Sequence, residues 1–308
     1  MKKIAVLIPC YNESQNIKKV ICDFKIQFPE ADIYVYDNNS VDGTADIAAS
    51  EGAIVRYEYR QGKGNVVRTM FREIEADCYL LVDGDDTYPA EPAPKMVRLV
   101  LDQGFDMVIG DRLTSTYFTE NKRRFHNMGN KLVRKFINKL FNNSISDIMT
   151  GYRAFSRAFA KTCPIISKGF EVETEMTIHA LYNDAKIASI PVEYRDRIEG
   201  SVSKLNTVKD GFKVIGKIFN MYREYKPLGF FGIFSVIFIA FGIIMFIPVI
   251  SEFIETGLVP KIPSLLTAGI FLVLSLVSFV CGIILDVVAK KNRQTYEMMY
   301  TLQKNAEK

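Results

Sequence analysis

Two carboxylates one residue apart have the most specific chemical signature in this sequence. Asp83-Gly84-Asp85 follows the apolar run at residues 79–82, so these three residues are expected at the carboxyl end of a buried strand. Ligands of open α/β sheets gather at that edge. Two carboxylates with a glycine between them are able to hold a hard divalent cation and, through it, a diphosphate. The alternative interpretation is a solvated acidic turn.

Two further polar loops are expected to meet at the same edge, because they follow the first and second predicted strands. Tyr11 offers a ring that stacks on a nucleobase. Glu13 and Asp37 offer acceptors for the hydrogen-bond donors of a base or a ribose. Both loops also contain ordinary turn residues, and we interpret Asp42 as a cap of the next helix rather than as a ligand.

Short apolar runs alternate with amphipathic stretches along the first 110 residues. The runs predict strands at residues 4–8, 33–36, 54–57, 79–82 and 107–109, and the stretches predict helices at 14–28, 44–51, 63–75 and 92–103. This βαβα order is typical of a mostly parallel sheet with helices on both faces. The sequence therefore predicts an α/β fold with a Rossmann-like sheet, whose first half binds a nucleotide.

Two long apolar segments lie near the end of the chain. There are 25 uncharged residues between Lys226 and Glu252, and 24 between Lys261 and Asp286. Each is long enough to cross a hydrocarbon core of about 30 Å at about 1.5 Å per residue. We predict two transmembrane helices within residues 227–288; the alternative is a pair of buried core helices.

The charges that flank these segments predict how the chain is oriented. Lysine and arginine residues precede the first segment and follow the second, whereas the connecting loop contains two glutamates and one lysine. The positive-inside bias therefore predicts an integral protein of the cytoplasmic membrane, with its catalytic domain and both termini in the cytoplasm. We expect a catalytic domain at residues 1–205, a juxtamembrane amphipathic helix at 206–226 that contacts membrane lipids, and a cytoplasmic tail at 289–308.

Six short segments, taken in order along the chain, resemble the GT-A glycosyltransferases of family 2. They are residues 8–13, 36–44, 83–85, 110–112, 147–153 and 197–204. Together they are similar to the polyprenyl-phosphate glycosyltransferases, the branch that includes dolichyl-phosphate mannose synthase and the bacterial enzymes that make undecaprenyl-phosphate sugars. The likeness covers residues 3–215, and the two-helix tail is similar to that of the bacterial members.

This resemblance implies a role for each matching residue. The nucleotide of the donor would contact Pro9, Tyr11, Glu13, Asp37 and Asp83. Mg²⁺ or Mn²⁺ would be bound by Asp83 and Asp85. The catalytic residues would be Asp85, Asp147, which lies beside the acceptor, and Arg112, which lies near the phosphates. The acceptor phosphate would be bound by Arg153, Arg197 and Lys204. Two positions differ from the family pattern: Asn38 stands where many relatives have a second Asp, and Asp86-Thr87 follows the D-x-D.

A phosphate monoester is largely a dianion at neutral pH, and it is already a nucleophile. Such an acceptor needs no strong general base, but it needs a metal and fixed cations that hold two repelling anions together. We therefore expect an inverting, metal-dependent hexosyltransferase. Its expected partners are a nucleoside diphosphate sugar, with UDP preferred and GDP as the alternative, and a polyprenyl phosphate such as undecaprenyl phosphate; the resemblance also allows a homo-oligomer.

Three other functions compete with this interpretation. A processive polysaccharide synthase normally carries a Q-x-x-R-W motif, and this chain contains no tryptophan. A transferase that acts on a glycerolipid would have no acceptor phosphate monoester to bind. A membrane-anchored protein without catalytic activity could bind nucleotides, or nucleic acid through the basic helix predicted at residues 121–143; we expect no nucleic-acid partner.

Overall fold

A computed structural model of the protein describes residues 2–113, 134–195, 216, 219–220 and 222–306. The described residues form two compact units, one of residues 1–216 and 296–308 and the other of residues 217–295. Arg197, Lys204, most of the predicted helix at 206–226 and the first part of the one at 121–143 lie outside the described residues. Residues 134–141 of the latter are helical.

Strands and helices alternate along the first unit. The strands are β1 (Ile4–Cys10), β2 (Asp32–Asp37), β3 (Ile54–Tyr57), β4 (Cys78–Leu81), β5 (Met107–Asp111), β6 (Arg153–Ser156) and β7 (Ile187–Pro191). The helices are α1 (Ile17–Gln27), α2 (Thr44–Ser50), α3 (Lys63–Glu73), α4 (Ala93–Leu101), α5 (Arg157–Thr162) and α6 (Val172–Tyr182). The second unit contains α7 (Pro227–Thr256) and most of α8 (Ile262–Asn305).

The seven strands form one sheet in the order β3-β2-β1-β4-β6-β5-β7. Only β6 runs antiparallel to its neighbours β4 and β5, and the other pairs in the sheet are parallel. The carboxyl ends of the six parallel strands therefore meet at one edge, together with the start of β6. All of the loops that contain described candidate residues leave or enter the sheet at this edge.

The predicted α/β fold with a mostly parallel sheet is confirmed, and all five predicted strands are present. Residues 5–8 of β1 and all four residues of β4 are buried, as expected of strands covered by helices on both faces. The strands β6 and β7 were not predicted. The strand β6 is only four residues long and begins with the charged residue Arg153, and β7 is five residues long with one buried residue.

The second unit consists of two apolar helices that pack through small residues. The Cβ of an alanine in place of Gly242 would lie 3.4 Å from the carbonyl oxygen of Ala268. The hydroxyl of Ser275 donates a hydrogen bond of 2.9 Å to the carbonyl oxygen of Ser235. Small residues that let helices approach closely, and hydroxyls that bond across them, are common in membrane helix pairs.

Both helices are long and apolar enough to cross a membrane, with mean hydropathies of 2.9 and 2.7 over their most apolar windows. Most of their large apolar side chains are exposed, unlike those of the core helices of a water-soluble protein. The second helix has 44 residues, about 66 Å at about 1.5 Å per residue, so it extends well beyond one membrane thickness. Its last part, which was predicted as a tail, is helical as far as Asn305.

Candidate active site

Hydrogen bonds tie the loop after β1 to the loop after β2. The amide of Asn12 donates to Ser40 Oγ at 2.9 Å, and the amide of Ser14 donates to Asp42 Oδ2 at 3.0 Å. Asp42 Oδ1 accepts from the amide of Thr44, the first residue of α2, at 3.1 Å. Burial opposes the charge of Asp42, but hydrogen bonds from Thr44 and Ser14 outweigh it and lower its pKa to about 2. Asp42 thus ties the two loops together and binds the first amide of α2, whereas the N-cap position predicted for it is occupied by Gly43.

Asp37 is the last residue of β2 and lies beside Cys10 in the sheet register. Its side chain is buried, and Oδ2 accepts a hydrogen bond from the amide of Ser40 at 3.0 Å. Oδ1 has no hydrogen-bond partner among the described residues. A buried acceptor without a partner is costly unless a ligand supplies a donor, and ribose hydroxyls and base N–H groups are such donors. Tyr11, at the end of the neighbouring strand, is 39% exposed.

Asn38 fastens the second loop to the third. Its side-chain amide donates to the carbonyl oxygens of Glu58, at 2.5 Å, and of Arg60, at 3.0 Å. Its Oδ1 accepts from the amide of Gly62 at 2.7 Å. A carboxylate cannot donate to two carbonyl oxygens. The departure from the family pattern at position 38 is therefore explained by the structure.

The Asp83-Gly84-Asp85 loop follows β4 and approaches the loop after β1. A Cβ on Gly84 would lie 2.8 Å from Cys10 Sγ and 3.6 Å from Glu13 Cγ, so only glycine fits without displacement of these side chains. Asp85 is buried, and its Oδ1 accepts from the hydroxyl of Thr87 at 2.6 Å. Close approach of the backbones thus brings the D-G-D loop together with the candidate nucleotide residues.

Lys63 bridges two carboxylates at the centre of the site. Its ammonium donates to Asp83 Oδ1 and forms an ion pair of 2.6 Å with Glu173 Oε1. Lys63 is the first residue of α3, and Glu173 lies in the first turn of α6. A Cβ on Gly151 would lie 2.6 Å from Asp83 Oδ2 and 2.8 Å from Lys63 Nζ, so this glycine makes room for the pair.

Burial opposes the charged forms of both Lys63 and Glu173, with different outcomes for the two residues. Burial lowers the pKa of the Lys63 ammonium, but the charges of Asp83 and Glu173 and their hydrogen bonds outweigh burial, so this pKa is raised above its usual range. Glu173 Oε2 is buried and has no hydrogen-bond partner among the described residues. Burial raises the pKa of Glu173 above its usual range, and the nearby Lys63 ammonium only partly offsets this rise.

Arg112 and Asp147 form a second ion pair at the same edge. Arg112 Nε donates to Asp147 Oδ2 at 2.8 Å, and Asp147 Oδ1 accepts from the amide of Met149 at 3.3 Å. The side chain of Asp147 is only 1% exposed, and that of Arg112 is 12% exposed. Arg112 also donates to Tyr88 Oη at 3.3 Å. The structure therefore brings together two of the predicted catalytic residues, with Asp147 holding the guanidinium.

Arg153 is placed differently from what was expected of a ligand for the acceptor phosphate. It is fully buried, and its guanidinium donates to the carbonyl oxygens of Thr150 at 2.9 Å and Ile148 at 2.6 Å. It also donates to Thr177 Oγ1 at 2.8 Å. Burial lowers the pKa of Arg153 to about 10. A lipid phosphate cannot reach this guanidinium in the observed conformation, so Arg153 supports the loop that carries Asp147.

Asp86, which follows the D-G-D motif, turns towards two cations. Its Oδ1 lies 2.7 Å from Lys19 Nζ and 3.7 Å from Arg195 NH1, and its backbone has a φ of 57°. An aspartate tolerates this left-handed conformation better than most residues. The carboxylate is thus engaged by α1 and by the segment after β7.

The residues at this edge fit a divalent cation that is bound together with a diphosphate. The side chain of Asp83 is 26% exposed, and Asp85 lies in the same loop. The described part of the chain contains no group of three or more His, Cys, Asp and Glu residues that could hold a metal ion. Mg²⁺ commonly takes one or two carboxylates and completes its shell with phosphate oxygens and water. Asp83 and Asp85 match that donor set.

Residues 5–163, more than half of the chain, match the model of the family described as glycosyl transferase family 2. The chain belongs to this family. The glycosyltransferase is 30% identical over 302 residues to Glycosyltransferase AglJ of Haloferax volcanii, an alignment that covers 97% of this chain and 98% of the relative.

Two other proteins are informative about the family. A dolichyl-phosphate hexose transferase of Haloferax volcanii is 31% identical over 195 residues, which are 63% of this chain and 83% of the relative. Glucosyl-3-phosphoglycerate synthase of Mycobacterium tuberculosis, solved with Mn²⁺, UDP and glucosyl-3-phosphoglycerate, superposes with a TM-score of 0.58. It is 19% identical and covers 71% of this chain and 79% of that chain, which shows a shared fold.

Sequence reasoning missed Lys63 and Glu173 in this glycosyltransferase. The available signals were a lysine flanked by Gly62 and Gly64 at the start of a helix, and acidic residues in α6, a helix whose residues 172–181 are all buried. Neither signal identifies a partner, because Lys63 and Glu173 lie more than a hundred residues apart in sequence.

Proposed function

We propose that this glycosyltransferase moves a sugar, with inversion, from a nucleoside diphosphate sugar to a polyprenyl phosphate at the cytoplasmic face of a membrane. The observation that carries the proposal is the meeting of the D-G-D loop with the loops after β1 and β2 at one sheet edge. The relative named dolichyl-phosphate hexose transferase supports the class of acceptor. The two apolar helices support a lipid substrate.

The donor would bind at the ends of β1 and β2. Pro9, Tyr11 and Glu13 would line the base pocket, and Asp37 Oδ1 would accept a hydrogen bond from the base or the ribose. This assignment explains why a buried carboxylate oxygen has no partner among the described residues. The UDP bound to the Mycobacterium tuberculosis synthase supports a uridine carrier over a guanosine carrier.

A divalent cation, Mg²⁺ or Mn²⁺, would be held by Asp83 and Asp85. When bound, it would neutralise the charge that develops on the leaving diphosphate. The Mn²⁺ in the Mycobacterium tuberculosis synthase supports this choice of cofactor. The chain itself contributes Arg112, which is held in place by Asp147 and adds a fixed positive charge at the same edge.

The acceptor phosphate would need cations rather than a base. Its dianion is already nucleophilic, which agrees with the engagement of Asp147 by Arg112 and the amide of Met149. We assign Arg197 and Lys204 to the binding of this phosphate, because their segment follows β7 and precedes the apolar helices. Arg153 is left out of this group because it is fully buried.

The deciding experiment uses the full chain in nanodiscs. The protein is incubated with Mg²⁺ or Mn²⁺, a panel of UDP and GDP sugars, and either undecaprenyl phosphate or diacylglycerol, and the lipid product is identified by mass. The expected product is a polyprenyl monophosphate sugar of inverted anomeric configuration. The variant Asp85→Ala is the catalytic control.

A sugar on diacylglycerol would assign the enzyme to glycerolipid glycosylation. Hydrolysis of the nucleotide sugar without any lipid product, under conditions in which nucleotide binding is demonstrated, would also contradict the proposed acceptor. Retention of the anomeric configuration would exclude direct displacement by the phosphate.

A further inference from the structure

The Asp83–Lys63–Glu173 cluster contains three charges in direct contact, and they differ in access to solvent. The side chain of Asp83 is 26% exposed, whereas those of Lys63 and Glu173 are 9% and 4% exposed. A cation that arrives from solvent therefore reaches Asp83 and not Glu173. The Lys63 ammonium donates a hydrogen bond to Oδ1 of Asp83.

Lys63 has a second carboxylate available. Glu173 Oε1 lies 2.6 Å from the ammonium, and Glu173 Oε2 is buried with no hydrogen-bond partner among the described residues. An ammonium has three donors, and two carboxylates share them in this cluster. If Asp83 is taken by another cation, Glu173 remains as a buried counter-charge, and its second oxygen offers a further acceptor.

We propose that Lys63 is an internal cation that competes with the divalent metal for Asp83, and that Glu173 is the positioning residue that retains the ammonium when Asp83 changes partner. This inference rests on the proposed metal site at Asp83 and Asp85. Like charges a few ångströms apart repel strongly in a partly buried site. Lys63 thus weakens binding of the metal alone, and Glu173 offsets part of that penalty.

The proposal predicts changes of opposite sign in one quantity, the dissociation constant for Mn²⁺ in the absence of nucleotide. Lys63→Met removes the competitor and should tighten Mn²⁺ binding by about tenfold or more. Glu173→Gln leaves Lys63 with Asp83 as its only charged partner in the described part of the chain, and it should weaken Mn²⁺ binding by about tenfold. If Lys63 and Glu173 had purely structural roles, both substitutions would weaken Mn²⁺ binding.

The double variant tests whether Glu173 acts through Lys63. In Lys63→Met/Glu173→Gln the ammonium is absent, so the loss caused by Glu173→Gln should disappear and Mn²⁺ should bind more tightly than to wild type. This variant removes one positive and one negative charge and so leaves no unpaired buried carboxylate at position 173. It therefore still tests the proposal if Lys63→Met alone fails to fold. Glu171→Gln, two residues from Glu173 and outside the cluster, is the matched control and should leave the constant unchanged.

The measurement uses the full chain in nanodiscs of uncharged lipid, with free Mn²⁺ followed by electron paramagnetic resonance and folding checked by melting temperature. Unchanged or weaker binding in Lys63→Met, or unchanged or tighter binding in Glu173→Gln, would overturn the inference.

The variant Asp85→Asn tests the proposed metal site separately from the competition by Lys63. If Asp85→Asn leaves Mn²⁺ binding intact, the metal site itself is wrong; if it abolishes binding while the cluster variants behave like wild type, only the competition is wrong.

Discussion

Individual residues at the sheet edge fall into two groups. The side chains of one group are partly exposed to solvent, and those of the other group are buried. Asp83 and Arg112 retain partial exposure, whereas Asp147 and Arg153 are 1% and 0% exposed. A buried charge that is fully hydrogen-bonded fixes geometry, and losing one partner leaves the other uncompensated. Of these four residues, we propose that the two exposed ones meet substrate and that the two buried ones hold the neighbouring loops in place.

The residue with the largest expected effect on the reaction is Asp85. Asp85→Ala removes a proposed metal ligand and should lower turnover on the order of 10² to 10³ or more, because the charge on the leaving diphosphate is no longer neutralised. Initial rates at saturating donor and lipid check this. Asp46→Ala, which removes an exposed aspartate of α2, is the control. Turnover of Asp85→Ala within about threefold of wild type, in folded protein, would contradict the assignment.

Lys204 tests the acceptor side of the proposal. Lys204→Ala removes a cation that would meet the lipid phosphate, so the apparent KM for polyprenyl phosphate should rise, with little change in affinity for the free nucleotide. Lipid titration at saturating donor and calorimetry of nucleotide binding measure the two effects. Lys95→Ala, an exposed lysine of α4, should change neither. A large loss of nucleotide affinity with normal lipid dependence would place Lys204 on the donor side.

His179 makes the stability of the first unit depend on pH. It packs against Tyr296 and Phe159, and burial lowers its pKa to about 4, below the usual 6.5. The unfolded chain therefore takes up a proton below pH 6.5 that the folded chain accepts only near pH 4. Stability should fall as pH drops through this window, by roughly 3 kcal/mol in total. The melting temperatures of wild type and His179→Gln should converge as the pH is lowered. Melting temperatures that fall in parallel with pH in the two proteins would contradict this prediction. Any contribution of His126 is the same in both proteins.

At the scale of elements, glycines decide how closely the helices and loops approach the site. A Cβ on Gly64 would lie 2.2 Å from the carbonyl oxygen of Ser167, and the amide of Gly64 donates to the carbonyl oxygen of Lys168 at 3.0 Å. The start of α3 is thus held against the loop before α6. The same contact brings Lys63 within reach of Glu173.

Two glycine substitutions should separate folding from binding. Gly64→Ala forces two backbones apart and should lower the melting temperature by several degrees or more, since overpacking costs about 1–3 kcal/mol. Gly151→Ala meets only the ends of the Asp83 and Lys63 side chains, which can move. It should keep a melting temperature near that of wild type and lose affinity for the metal–nucleotide complex. Gly232→Ala, which has open space around it, is the control. Equal losses of stability at positions 64 and 151 would refute the distinction.

The elements that could be predicted from the sequence are those with a continuous local pattern. The β1 and β4 runs and the two apolar helices are of this kind. The two strands are apolar because both faces of the sheet are covered, and the two helices are apolar along their exposed surfaces as well. The strand β6 is short and antiparallel, and it is recognisable only through its pairing with β4 and β5. The Lys63–Glu173 ion pair could not be predicted for the same reason, because each residue is recognised as part of the site only through a partner that is distant in sequence.

For the molecule as a whole, the two units differ in the kind of surface that they expose. The first unit carries the charged sheet edge, and the second exposes a nearly continuous apolar surface along α7 and much of α8. A polyprenyl phosphate has the same two parts, since its phosphate needs cations and its chain needs hydrocarbon. A chain that joins both kinds of surface is therefore suited to a lipid acceptor and a water-soluble donor.

The difference between the two surfaces also bears on how the chain would be oriented in a membrane. If the donor sugar is cytoplasmic, both ends of the helical hairpin must face the cytoplasm, and only the short loop around residues 257–261 is outside. Thr256→Cys should then react with an impermeant thiol reagent in intact cells, whereas Thr301→Cys should react only after the membrane is permeabilised. The native cysteines are present in both variants, so labelling of the wild-type chain provides the background. Labelling of Thr301→Cys but not Thr256→Cys in intact cells would place the catalytic unit outside, away from nucleotide sugars, and would refute the proposed function at this scale.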